Sequence, residues 1–168
     1  MQRWLFARAV GELDADRVYY LDECGIEHRL YREYARAPRG QKVEQAVSGS
    51  LRKRSSVIGT WKAGKLVASM IFEGSCNKAV VKAYFEEVLL PELPPGSVVV
   101  LDNASFHQGR QLEELARRRG VELMYLPAYS PDLNPIEHFW AVLKSALRPL
   151  LQNSTNPIET ITNMCKCY

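Results

Sequence analysis

Long apolar runs are missing from this sequence, and cysteine is scarce. No stretch approaches the ~20 apolar residues a helix needs to cross a bilayer, so no membrane association is expected. The four cysteines, Cys24, Cys76, Cys165 and Cys167, form no C-x-x-C pair. Neither a zinc site nor a disulfide framework is therefore expected, and a reducing cytosol is the default compartment. The 10 glycines and 9 prolines follow no period, which excludes collagen-like and repeat architectures. The N-terminal Met1–Arg8 segment carries a charge inside its apolar stretch and lacks a small-residue cleavage site, so it does not read as a signal peptide. What is present is a 46% hydrophobic, 24% charged chain of 168 residues, the profile of one globular domain. A chain of this length buries roughly two thirds of its unfolded surface without staples.

The net charge of +3 conceals an uneven distribution. Between Arg29 and Arg54 lie eight basic residues against two acidic ones, Glu33 and Glu44, a local excess of six positive charges. A basic block on a nearly neutral chain points to an anionic partner, nucleic acid first; the plain alternative is a solvated loop.

Hydrophobic periodicity orders the chain. Residues 1–16 read as a helical lead-in or linker, and Arg17–Gly25 as a first strand. Segments 56–61 and 66–72 flank Gly64 as a hairpin. Asn77 caps a helix running from Lys78 to about Leu90. The run Ser97–Asp102 has the continuous apolar character of a strand buried on both faces. A helix (Gly109–Arg119), a strand (Val121–Pro127), a turn-rich loop (Ala128–Asn134) and a final helix from Pro135 to about Leu147, with Asn134 as its cap, complete the order. Three strands that pair antiparallel, followed by alternating strands and helices, predict an α/β fold: a mixed five-stranded sheet flanked by helices. The division is a lead-in at 1–16, one domain at 17–150 and a polar tail at 151–168.

Three acids stand out by position. Asp22 lies near the end of the first strand, Asp102 ends the buried strand, and Glu137 lies in the first turn of the last helix. Open α/β sheets bind ligands at the C-terminal ends of their strands. Three carboxylates converging there repel one another, and a divalent cation removes that penalty; oxygen donors suit Mg²⁺ or Mn²⁺. Taken singly, each acid has another reading: a strand-end turn, a βα-loop residue, or a partner of the helix dipole.

The surrounding segments narrow the choice. Tyr20-Leu21-Asp22-Glu23-Cys24-Gly25, Val99-Val100-Leu101-Asp102-Asn103-Ala104-Ser105-Phe106-His107, and Leu126-Pro127-Ala128-Tyr129-Ser130-Pro131-Asp132-Leu133-Asn134-Pro135-Ile136-Glu137-His138-Phe139-Trp140 resemble the catalytic domain of DDE transposases. The likeness is to the mariner-like superfamily and its bacterial insertion-sequence relatives, and it runs from about Val18 to Leu147. Thirty-four residues separate Asp102 from Glu137, as in that family. The resemblance implies a ribonuclease-H-like fold, two Mg²⁺ ions (Mn²⁺ as substitute), hydrolytic cleavage at transposon ends and strand transfer. Asp22, Asp102 and Glu137 match the family's three metal-binding acids. It further implies DNA as partner, both transposon ends and target, a homodimer in the active assembly, and action in a bacterial cytosol or nucleoid.

Around these acids, Arg52, Lys53, Arg54, Asn103, His107 and Lys144 are candidate DNA contacts. Asn103 and His107 have a structural alternative, shaping the turn and starting the helix. Glu23 falls on the opposite strand face from Asp22 and reads as structural. Asp132 reads as a loop-fixing residue, Trp140 as core, and Arg117-Arg118-Arg119 as partners of a helix C-terminus. Family members carry helix-turn-helix modules upstream, and only about 17 residues precede the first strand here. A separate or missing segment is therefore expected to read sequence. The competing expectations are a stand-alone ribonuclease-H-like nuclease and a silent DNA-binding remnant.

Overall fold

Strand β1 (Val18–Glu27) lies at the centre of a five-stranded sheet of order β3-β2-β1-β4-β5. The computed structural model describes residues 2–28, 38–41, 53–152 and 154–168. Strand β2 (Arg54–Lys62) pairs antiparallel with β1, and β3 (Lys65–Glu73) antiparallel with β2. Strands β4 (Val98–Leu101) and β5 (Glu122–Tyr125) then add in parallel, as the order of strands and helices predicted. The β2–β3 turn is Ala63-Gly64, both with positive φ (47° and 88°), the backbone of a type I′ hairpin.

Alternation along β1 divides the core in two. Tyr19 and Leu21 point to the face covered by α2 (Lys78–Ala83) and α3 (Arg110–Arg118), where they meet Val81, Tyr84 and Leu112. Cys24 and Ile26 point to the other face, covered by α4 (Ile136–Leu151) and α5 (Pro157–Cys165). Helix α1 (Arg3–Gly11) buries Phe6 against Val18, Val100 and Leu126.

Four readings depart from expectation. Strand β1 runs on to Glu27, paired with Arg54, so Asp22 lies at its middle and not near its end. The helix capped by Asn77, whose side chain accepts from the N–H groups of Ala79 and Val80, changes register: Tyr84–Leu89 is π-helical. The apolar pattern marks its buried face but is blind to a change of register. Helix α4 runs to Leu151 through Pro149, past the predicted end, because Leu147 and Leu151 are both buried against the sheet. Residues 151–168 are no polar tail: Asn156 caps α5, Ile161 is fully buried, and Tyr168 packs on Phe139 with centroids 5.3 Å apart. The carbonyl of Tyr168 also accepts from the Leu66 N–H on edge strand β3. The polar residues of this segment line the outer side of a helix whose few apolar ones complete the core.

Among the described residues, no helix is long and apolar enough to cross a membrane.

Candidate active site

The parallel β1–β4 register pairs Tyr20 with Val100. Carried two residues on, it sets Asp102 beside Asp22. Glu137 sits in the first turn of α4, which Asn134 straps to the same place. The Asn134 side chain is buried, donates to the Leu21 carbonyl at 3.2 Å, and accepts from the Ile136 N–H at 3.4 Å. Asp22, Asp102 and Glu137 consequently line one cavity of about 330 Å³, walled by Leu126, Pro127 and Tyr129. Tyr129 stands 99% exposed on its rim with φ 54°.

Asp22 is held from the α4 side. Trp140 Nε1 donates to its Oδ2 at 3.0 Å. The indole has room because Asp22 pairs with Gly59: a Cβ there would stand 2.9 Å from Trp140 Cη2 and 2.9 Å from Leu66 Cδ1. Burial pushes the Asp22 carboxyl up to about 7, and the charges of Glu23 and Glu137 add to that; bonds from the Glu23 backbone and from Trp140 oppose it.

Asp102 is held from the loop after β4. Its Oδ1 accepts from the Ala104 N–H at 2.9 Å and faces His107 Nδ1 at 2.5 Å. Burial alone would raise this carboxyl, but the His107 bond, the Ala104 bond and the imidazolium charge outweigh it and hold it below its ordinary value. His107 in turn rises to about 9: burial would lower it, and the Asp102 bond together with the adjacent Glu23 and Asp102 carboxylates prevails. Glu23, on the opposite face of β1 from Asp22, places Oε2 at 3.2 Å from His107 Nε2.

Among the described residues, no three His, Cys, Asp or Glu side chains are arranged to hold a metal ion as they stand.

The remaining candidates divide. Asn103 lines the cavity, and its amide donates to the Leu126 carbonyl, so it shapes the turn as well. His107 is a correction: it is fully buried between two carboxylates and has no surface to offer DNA. Lys144, half-buried on α4, lies beside the Cys24 thiol. Lys53 is exposed, and the Arg54 guanidinium folds over Gly25. Arg52 and most of the basic stretch, 29–37 and 42–52, lie outside the described residues. Asp132 ties its loop to Arg3 through two bonds of 2.9 and 2.5 Å.

Sequence reasoning placed Asn134 at the helix start, Trp140 in the core and Glu23 on the opposite strand face, but missed the Asn134 bond to Leu21, the Trp140 bond to Asp22, the Glu23 contact with His107 and the space left by Gly59. One signal was available: a buried indole N–H needs an acceptor, and Trp140 lies one helical turn from Glu137.

The family model for DDE superfamily endonucleases matches residues 17–162. The transposable element Tcb2 transposase of Caenorhabditis briggsae is 40% identical over 55 residues, 33% of this chain and 20% of the relative. The Tcb1 transposase of the same organism is 32% identical over 87 residues, 49% of this chain and 32% of the relative. Among solved structures, the Mos1 transposase paired-end complex with left transposon end matches with TM-score 0.70 at 17% identity, covering 97% of this chain and 56% of that one. The catalytic domain of Mos1 mariner transposase matches with TM-score 0.52 at 16% identity, covering 97% and 84%. The matched segments thus span 20% to 32% of the two nematode relatives, and this chain spans 56% of the Mos1 chain in its paired-end complex. The structural likeness shows the fold: a mixed sheet with flanking helices, as in the mariner catalytic domain and consistent with the ribonuclease-H-like class.

Proposed function

Since the chain belongs to the DDE superfamily endonucleases, we propose that it is the catalytic domain of a DNA transposase, cleaving and rejoining phosphodiesters at Asp22, Asp102 and Glu137. The observation that carries this reading is the convergence of the three acids on one cavity, two from neighbouring parallel strands and one from a helix start tied to the first strand.

The donor set fits divalent metal. All three donors are hard carboxylates gathered on one cavity, and the charges of Glu23 and Glu137 add to the burial that raises the Asp22 carboxyl. Mos1 structures with Mg and with Mn support the same reading. Asp22, Asp102 and Glu137 would hold two such ions, which when bound supply an activated water and a neutralised leaving oxygen. The chain's own part is positional. Trp140 holds Asp22, the Ala104 N–H and His107 hold Asp102, and Asn134 keeps the Glu137 helix against β1. Arg52, Lys53, Arg54 and Lys144 attract DNA phosphates, and Asn103, which lines the cavity, adds a polar contact; such contacts orient without reading sequence. A second copy completes the active assembly as a homodimer.

The test is incubation of supercoiled plasmid with Mg²⁺ or Mn²⁺, beside Asp102→Ala. Nicking that disappears in the variant is the expected result. Joined products on end-bearing oligonucleotides separate a transposase from a nuclease. DNA retention without any nicking would overturn the enzymatic reading.

A further inference from the structure

We infer that Glu23 and His107 form a positioning chain that sets Asp102 from the far side of the sheet, an inference resting on the reading of the cavity as a metal-holding site. His107 is the middle link. It is fully buried, with Nδ1 2.5 Å from Asp102 Oδ1 and Nε2 3.2 Å from Glu23 Oε2. An imidazole carries a nitrogen at either edge, so it faces one carboxylate on each side. The Glu23 contact lies off the hydrogen-bond axis, and neither Glu23 Oε2 nor His107 Nε2 has a hydrogen-bond partner among the described residues. Each is therefore the other's compensating neighbour in a place where an isolated polar atom is costly.

The loop that carries the imidazole is itself anchored. The His107 N–H donates to the Ala104 carbonyl at 2.9 Å, and the Tyr125 hydroxyl on β5 donates to the His107 carbonyl at 3.2 Å. With Ala104 also donating to Asp102 Oδ1, that oxygen is fully engaged and Oδ2 is left for the cavity. Glu23 does not line the cavity. It follows Asp22 directly, so one strand supplies a cavity acid to one face and the orienter of another cavity acid to the opposite face. Glu23 and His107 are positioning residues: they act through Asp102.

Outer partners of metal-binding side chains typically govern affinity by about 10- to 100-fold. The variants that separate this from plain packing are Glu23→Gln, His107→Asn and His107→Gln. Asparagine places its amide near Nδ1 and keeps the Asp102 contact; glutamine reaches toward Nε2 and loses it. Mn²⁺ binding to the whole chain, read by electron paramagnetic resonance without DNA, is expected to weaken about tenfold in Glu23→Gln and in His107→Asn, which both cut the Glu23 link, and further in His107→Gln, which also loses the Asp102 contact. In the His107→Asn background, Glu23→Gln is expected to add nothing, because the chain is already cut there. A second readout needs no metal: the imidazole N–H proton of His107, far downfield in the NMR spectrum, should shift in Glu23→Gln. If Mn²⁺ affinity and that proton are both unmoved in a folded Glu23→Gln protein, the inference is overturned, whether or not the His107 variants fold. A wild-type chain that binds no Mn²⁺ would instead overturn the reading of the cavity, and this inference with it.

Discussion

Asp22 owes its setting to two residues with no chemistry of their own. Gly59 leaves the space, and Trp140 fills it and points its indole N–H at the carboxylate. Gly59→Ala puts a methyl group 2.9 Å from both Trp140 and Leu66, so it should destabilise the fold by about 1–3 kcal/mol in chemical denaturation. Trp140→Phe keeps most of the packing and removes the bond to Asp22. Its cost should be roughly 1.5–3 kcal/mol, the range for a hydrogen bond to a charged group. Because that bond favours the ionised carboxylate, its loss should move the Asp22 carboxyl above about 7, measurable by carbon-detected NMR titration. A downward shift would contradict the geometry. The acids themselves were legible in the sequence because short contiguous motifs around them resemble a known family, although Asp22 lies in the middle of β1 and not at its end. Their holders were not, because Gly59 and Trp140 meet Asp22 only across strand pairing and helix packing.

Among the elements, the β2–β3 hairpin and helix α5 make opposite points. The hairpin is local: Lys62 and Lys65 pair across a two-residue turn, and Gly64 predicts it. Ala63, however, sits at φ 47°, where a Cβ is strained. Ala63→Asn, a residue favoured at that position of a type I′ turn, should raise stability by roughly 0.5–1 kcal/mol in thermal melts. Helix α5 has a legible start, Asn156 followed by Pro157, yet its burial depends on distant partners. Ile161 is fully buried beneath it. Ile161→Ala should cost about 2–5 kcal/mol, as for a core residue, where a solvated tail would register almost nothing. The measurement is the urea midpoint.

For the whole molecule, three titrating groups of the cavity and its support contribute to how stability depends on pH without metal. Asp22 has a folded value of about 7, above its ordinary 3.8, so the folded state holds its proton more tightly than the unfolded chain does. Its share of stability therefore falls as pH rises from about 4 to about 7. His107, raised from 6.5 to about 9, contributes stability that is complete below 6.5 and lost as pH climbs through about 9. Asp102, held below its ordinary value, contributes above 3.8 and loses its share as acid protonates it. The melting temperature of the metal-free protein should decline from mildly acidic pH to pH 9. Asp22→Asn should flatten the part of that decline below pH 7 and leave the His107 part. Added Mn²⁺ should raise the melting temperature of the wild type most at high pH, where both acids are ionised. A melting temperature that climbs from pH 5 to pH 9 without metal would refute this assignment.

The sequence by itself determined the strand and helix order, the parallel addition of β4 and β5 after an antiparallel hairpin, and the three acids of the cavity. The order and pairing follow from periodicity, turn residues and connection rules, which act over a few residues at a time, and the acids from motifs that resemble the transposase family. Only the tertiary structure decided that helix α5 seats Ile161 and Cys165 in the core, that helix α4 continues through Pro149, and that His107 lies buried between Asp102 and Glu23 rather than facing DNA. In each case the deciding partner is far away in the chain or across the sheet. Tyr168 meets Leu66, Asn134 meets Leu21, and Trp140 meets Asp22. Local propensity carries no information about such partners, because burial and hydrogen bonding are settled only when the elements pack.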